Sequence, residues 1–233
     1  MNTFPAAPPV NRKELFARVS EIIQHGWYDM EANFAGTGRA GAFLEKLLGK
    51  QADSQDIADS TGWEIKTFTD KTNLITLFHK EAGPENIMRY MVRKHGWKDA
   101  QGRLSFRHTI AGRSDRFQVV DDSQQVIIKP LKGNGPVPTW SHDELLNAAS
   151  KLRRLLLIKA ECMEQKARFT SATCFEELHL GLFVAELLQG IICIDFDVRE
   201  ASPGSGGLRN HGTKFRVSPL NVCRLYLSKR PMP

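Results

Sequence analysis

Between Gly38 and Gly49 the chain carries one narrow apolar stripe, Ala40, Phe43, Leu44, Leu47 and Leu48, at helical spacing. The small residues Gly38, Ala40 and Gly41 let such a helix approach another backbone closely. Asn11-x-x-Glu14 is a capping box ahead of Leu15, Phe16, Val19, Ile22 and Ile23, and Gly26 closes that helix. Residues 56–67 read as strand material broken by Ser60-Thr61-Gly62, and 73–79 read as a strand. Pro84 opens a helix to about Lys94. Residues 103–130 read as a basic β-meander with turns at Ala111-Gly112 and Asp121-Asp122. Ser141-x-x-Glu144 caps a helix leading into a strand at Leu155–Ala160, and Thr173-x-x-Glu176 caps another helix through Leu188. A strand at Ile191–Val198, a short strand near Phe215 and a helix from Ser218-Pro219 follow. Strands 155–160 and 191–198 bracket a helix as in a βαβ unit. The expectation is one α/β domain with the meander as a subdomain or flap.

With 233 residues, 41% of them apolar and 25% charged, the chain can bury an ordinary core. No run approaches the ~18 apolar residues of a membrane span, so no membrane partner is expected. The opening residues show neither the basic nor the apolar region of a signal peptide. Cys162, Cys174, Cys193 and Cys223 lie far apart with no CxxC spacing, which points to reduced thiols in a cytoplasm. The net charge of +6 is unevenly placed. Residues 89–118 hold eight Lys/Arg against Asp99 and Asp115, and residues 201–233 hold six Lys/Arg and no acid. Two basic blocks on an acidic body suit a polyanion, although solvated faces would look the same. The stretch Ser202–Gly207 is hinge-like.

The chemistry concentrates in Asp56–Thr67. On a strand, Glu64 and Lys66 share a face, with Trp63 and Ile65 on the other. An aspartate at hairpin distance, Asp59 or Asp56, can fold back beside them. Two carboxylates are hard oxygen ligands for Mg²⁺. A lysine beside them can orient a water and offset charge growing on phosphorus. This layout suits phosphodiester hydrolysis. Glu-x-Lys alone occurs about once per chain of this size, and a solvated surface pair is the competing explanation. The coherent polar face, the nearby aspartate and the upstream helix, with Glu45 off its stripe, favour a reaction centre.

The helical G-x-x-G-x-x-L-E pattern followed by D…G-x-E-x-K-T resembles the MutH-like branch of PD-(D/E)xK nucleases, and within it the MvaI/BcnI group of type II restriction endonucleases. Three further stretches resemble that group: Thr76-Leu77-Phe78-His79-Lys80; Thr139-Trp140 followed by a helix and the strand Arg154–Glu161; and His211-Gly212-Thr213-Lys214-Phe215-Arg216. The likeness runs in order from roughly residue 35 to 228. It implies a PD-(D/E)xK restriction-endonuclease-like α/β fold, a mixed central sheet flanked by helices with a DNA-binding subdomain. A single domain over 1–233 would have a catalytic lobe including about 11–80 and 140–200, and a basic recognition lobe of about 81–135 and 201–233.

The resemblance further implies a monomeric, Mg²⁺-dependent enzyme that cuts double-stranded DNA at a short G/C-rich site of the CC-N-GG type. It would leave 5′-phosphate ends by two successive nicks. Asp59, Glu64 and Lys66 match the family's catalytic spacing, with Asp59 and Glu64 as metal ligands and Glu45 as a supporting glutamate. Asp56 remains an alternative to Asp59. His79 matches a histidine that reads the central base pair. Lys214 stands where the family pattern has a second histidine, which leaves the central base open. Arg209, His211 and Arg216 are candidates for DNA contact, Arg113, Arg116 and Lys129 for phosphate contact, and His179 for a structural place. A cognate DNA methyltransferase is the implied genetic partner. The alternatives are a MutH-like strand-nicking repair endonuclease and a non-catalytic basic DNA-binding module.

Overall fold

The structure is a computed structural model and describes residues 7–50 and 61–232. In chain order it begins with α1 (Arg12–His25), β1 (Trp27–Asp29), α2 (Arg39–Leu47), β2 (Glu64–Phe68), β3 (Ile75–His79) and α3 (Ile87–His95). Next come β4 (Trp97–Lys98), β5 (Leu104–Ile110), β6 (Phe117–Asp121), β7 (Gln125–Pro130), β8 (Thr139–Ser141) and α4 (His142–Ala149). The remainder holds β9 (Arg154–Met163), β10 (Lys166–Leu178), α5 (Leu180–Leu188), β11 (Ile192–Glu200), β12 (Leu208–Asn210), β13 (Lys214–Val217) and β14 (Tyr226–Pro231). Short 3-10 turns span Ser150–Arg153 and Pro219–Leu225. The chain forms two compact units. One comprises the described residues up to Ile75, with Lys151–Leu178 and the stretch from Tyr226 onward; the other comprises Thr76–Ser150 and His179–Leu225.

The first unit is built on a five-stranded sheet in the order β1-β10-β9-β2, with β14 also paired to β10. β9 and β10 form a long antiparallel hairpin. β2 joins β9 in parallel, Glu64 opposite Leu155 and Lys66 opposite Leu157. Asn11 caps α1 as its sequence announces: its Oδ1 accepts from the Glu14 amide at 3.0 Å and its Nδ2 donates to the Glu14 carboxylate at 2.9 Å. Leu15, Val19 and Ile22 of α1 and Ala40, Phe43, Leu44 and Leu47 of α2 pack with Trp63, Leu156, Ile158, Phe169 and Cys174 of the sheet. The small residues of α2 serve the close approach expected of them. A Cβ on Gly41 would stand 3.0 Å from Thr67 Oγ1 on β2.

The second unit holds a six-stranded sheet in the order β3-β13-β11-β5-β4, with β12 paired to β11, and a separate sheet β6-β7-β8. Phe78, Phe183 and Phe215 fill its interior. The Phe78 ring lies 4.8 Å from Phe215 and 5.7 Å from Phe183, both stacked. Ser141 caps α4 with the complete capping box that its spacing to Glu144 predicts.

Four expectations are corrected. The meander over 103–130 is split: β5 pairs with β11 and β4, whereas β6 and β7 pair with β8. Alternation reveals a strand but not its neighbour. The helix expected from Thr173 is instead the end of β10, with Thr173–Glu176 laddered between β9 and β14 and Leu178 still paired to β14. The helix starts only after His179, whose ring accepts from the Leu182 amide at 3.3 Å. β9 and β11 lie in different sheets, so they form no βαβ unit; the parallel pair is β2 with β9. Finally, the stretch expected as a helix from Ser218-Pro219 is a 3-10 turn running into β14. The part of the expected strand at 56–60 lies outside the described residues.

Candidate active site and nucleic-acid interface

In the first unit, the period-two alternation of β2 sends Trp63 and Ile65 toward the helices. Glu64 and Lys66 take the opposite face. The Glu64 side chain is only 8% exposed, and the Lys66 ammonium stands 2.6 Å from its Oε1. A carboxylate this buried needs such a partner, since removing a charge from water costs several kcal/mol. Tyr226 of β14 lies in the same field. Burial first, then the Glu64 charge, hold its phenol far above the usual range, so it stays neutral. Its hydroxyl donates to the Leu152 carbonyl at 2.7 Å. Farther along, Lys159 pairs with Asp70 at 2.8 Å and Arg168 with Glu161 at 2.6 Å.

Glu45 stands on the exposed side of α2, with Lys50 as its ion-pair partner at 3.7 Å. Asp59 and Asp56 lie outside the described residues. Among the described residues no three His, Cys, Asp or Glu side chains gather into a metal cluster. Glu64 fits a divalent cation in chemistry. One of its oxygens takes the Lys66 ammonium, and an ionised carboxylate has about four lone-pair sites.

In the second unit, β11 alternates Asp195, Asp197 and Arg199 along one face. Its neighbours place Thr109 and Lys214 opposite Asp195, Arg107 opposite Asp197, and Ser105 and Arg209 opposite Arg199. Asp195 accepts from Thr109 Oγ1 at 2.8 Å and from Arg216 Nη1 at 3.1 Å. Arg107 Nε lies 3.0 Å from Asp197. Arg199 was not singled out in the sequence, yet it is the centre of this grid. Burial, then the charges of Arg103, Arg107 and Arg209, push its guanidinium pKa down, against the pull of Asp99. Its Nε is buried without a hydrogen-bond partner. Four guanidiniums against Asp99 and Asp197 leave a local excess of positive charge, the usual setting for an anion. The D-x-D-x-R alternation was the signal that could have found it.

The family model described as the MvaI/BcnI restriction endonuclease family matches residues 16–226. The chain belongs to that family. It is accordingly an enzyme, a type II site-specific deoxyribonuclease. Enzymes of this kind generally need a divalent metal. Two solved structures share the fold. The complex of restriction endonuclease MvaI with cognate DNA is 24% identical, with a TM-score of 0.79, covering 95% of this chain and 98% of that one. Restriction endonuclease MvaI in the absence of DNA is 22% identical, with a TM-score of 0.59, covering 94% and 96%. No curated protein matches the sequence. The fold, mixed helices and sheets shared with a restriction endonuclease, is thus of the restriction-endonuclease-like α/β kind that the family resemblance implied.

Within this family frame, several of the motif residues have structural jobs. Lys80 is held by Glu144 at 3.1 Å. Trp140 is fully buried, and its Nε1 donates to the Lys80 carbonyl at 3.0 Å. Thr139 and Gly83 exchange backbone bonds at 2.8 and 2.9 Å. The Thr139-Trp140 pair therefore fixes the chain just beyond His79. His79 ends β3, exposed, its ring against the Gly212 backbone. His211 is exposed and its amide donates to the Asp197 carbonyl at 2.9 Å. Lys214 and Arg216 are half-buried on β13; Arg209, Arg113 and Lys129 are exposed. Arg116 is exposed as well, and donates to the His95 carbonyl at 2.8 Å. The 201–233 basic block is divided between the two units. Lys229 and Arg230 belong to β14 of the first unit, where Arg230 is bound to Glu176 at 2.7 Å. Arg224 is bound to Glu186 at 2.9 Å. All four cysteines are free thiols, and no described helix is long and apolar enough to cross a membrane.

Proposed function

We propose that this enzyme hydrolyses phosphodiester bonds in double-stranded DNA at a short G/C-rich site of the CC-N-GG type. It acts as a monomer, nicks the strands in succession, and leaves 5′-phosphate and 3′-hydroxyl ends. The observation that carries the reading is the shielded Glu64–Lys66 pair, 2.6 Å apart on the face of the sheet opposite the helix-packed core. Glu64 and Asp59 would hold Mg²⁺, with Glu45 in support. When bound, the cation supplies Lewis-acid polarisation of a phosphate oxygen and lowers the pKa of an attacking water. Lys66 orients the nucleophile and offsets charge developing on phosphorus. The first unit is the catalytic lobe and the second the recognition lobe. There His79 and Lys214 read the central base pair, Arg209, His211 and Arg216 contact the DNA, and Arg113 and Arg116 contact phosphates. The cell needs a cognate methyltransferase to shield its own sites, and the enzyme works in the bacterial cytoplasm. Family membership favours this reading over a repair nickase and over a silent binding module.

The test is a supercoiled plasmid carrying CC-N-GG sites, incubated with and without Mg²⁺, with ends mapped by run-off sequencing. Nicked circles followed by discrete fragments, only with metal, are the expected result. No cutting at such sites, or cutting without metal, overturns it.

The guanidinium grid yields a separate expectation. Arg199→Gln should weaken duplex binding about equally on all sequences, and lower the slope of log affinity against log salt by about 1. Fluorescence anisotropy in Ca²⁺ across a salt series measures this. An unchanged slope would remove Arg199 from the phosphate contacts.

A further inference from the structure

We propose that Glu81 is a positioning residue for sequence readout, fixing the Asn210–Thr213 segment against His79; this rests on the reading of His79 and Lys214 as base contacts. Glu81 Oε1 accepts from the Thr213 amide at 2.9 Å, and Oε2 accepts from Asn210 Nδ2 at 2.9 Å. Asn210 Oδ1 in turn accepts from the Gly212 amide at 3.0 Å. One carboxylate and one carboxamide thus close a ring of bonds around the segment. Next door, the Lys80 amide donates to the Thr213 carbonyl at 3.0 Å, so Thr213 is held at both its backbone polar groups. Thr213 is buried. Gly212 takes a φ of +83°, and a Cβ there would stand 3.1 Å from His79 Cδ2. The left-handed glycine and the Glu81 bonds together bring the segment onto the histidine ring.

Glu81 is itself exposed, on a chain with two basic blocks. An acid on a surface that meets a polyanion opposes binding by like-charge repulsion. Both its oxygens are spent on the segment instead. Without them, the loop after the Ser202–Gly207 stretch would have to be ordered at the moment of DNA contact, at the usual cost in conformational entropy. Pre-ordering places His211 and Lys214 relative to His79 before DNA arrives. The loss on removing Glu81 therefore falls on discrimination between bases.

The experiment compares kcat/KM on four duplexes that differ only at the central base pair of the site. Glu81→Ala should narrow the ratio of best to worst duplex by about tenfold or more, the scale of one lost base contact. Glu81→Gln should narrow it too, because its amide nitrogen meets Asn210 Nδ2, donor against donor. The double variant Glu81→Gln/Asn210→Asp restores every bond, with only the bond between side chains 81 and 210 reversed in direction and the net charge unchanged, and should recover the ratio. Melting temperatures of all variants separate readout from folding. If Glu81→Ala does not fold, the Gln variant and the double variant carry the test. Should His79→Ala or Lys214→Ala narrow the ratio while Glu81→Gln leaves it intact, the positioning role is overturned and base readout stands. Should the wild type show no central-base preference, or His79→Ala and Lys214→Ala both leave it intact, the readout reading itself falls.

Discussion

Glu64→Ala is expected to lower the cleavage rate by about 10³-fold or more, because several kcal/mol of transition-state stabilisation are lost at 1.36 kcal/mol per tenfold. Duplex binding in Ca²⁺ should be retained or tightened, since a negative charge is withdrawn from the face proposed to meet phosphate. Glu64→Gln separates charge from packing. The carboxamide keeps an oxygen for the Lys66 ammonium, now 2.6 Å away, yet lacks the ionised oxygens a hard cation takes. It should be as inactive as the alanine variant and closer to wild type in stability. Single-turnover cleavage, anisotropy and thermal melting measure the three quantities. A Glu64→Gln enzyme with more than about a tenth of wild-type rate would displace Glu64 from the reaction centre, for that residue costs under 1.4 kcal/mol.

The largest stability effect is expected at Trp140. Its ring is fully buried, 5.4 Å from Phe215 and 6.3 Å from Phe196, and its indole N–H holds the Lys80 carbonyl. Trp140→Ala empties that space and orphans the carbonyl, at about 3–5 kcal/mol. Trp140→Phe keeps most of the volume and loses the hydrogen bond, at about 1 kcal/mol beyond the change in packing. Denaturant midpoints give both numbers. A Trp140→Ala loss under about 1 kcal/mol, well below the range for large core truncations, would mean the site collapses around the gap. The enzyme should also lose the base readout proposed for His79 before it loses the Glu64–Lys66 pair, because Trp140 belongs to the second unit and that pair to the first.

What the sequence announced was local. Capping at Asn11 and Ser141, the α2 stripe, and the facing of Glu64 and Lys66 all follow from spacings of a few residues, where sterics and hydrogen bonding act directly. The family resemblance was legible because three further stretches carried it in order. What stayed hidden was pairing. Thr173-x-x-Glu176 satisfies the same spacing in a strand as in a helix cap, and only the ladders to β9 and β14 decide between them. Arg199 looked ordinary because its guanidinium neighbours come from β5 and β12 as well as from the loop before β5. Glu81 was passed over for the same reason: its partners lie 129 and 132 residues away.

The interleaving of the two units has a consequence for how the chain is made. The sheet behind Glu64 pairs β2 with β9 some ninety residues later, Glu64 against Leu155, and closes with Thr173–Leu178 against Tyr226–Pro231. On a ribosome, then, the strand bearing Glu64 and Lys66 emerges long before its neighbours, while Tyr226 arrives only after the whole of the other unit has been synthesised. Contacts this far apart in sequence form slowly. A nascent or prematurely terminated chain holds Glu64 and Lys66, the proposed reaction centre, without the framework that aligns them, so on that proposal cutting competence arrives as one late event, once Tyr226–Pro231 has been made.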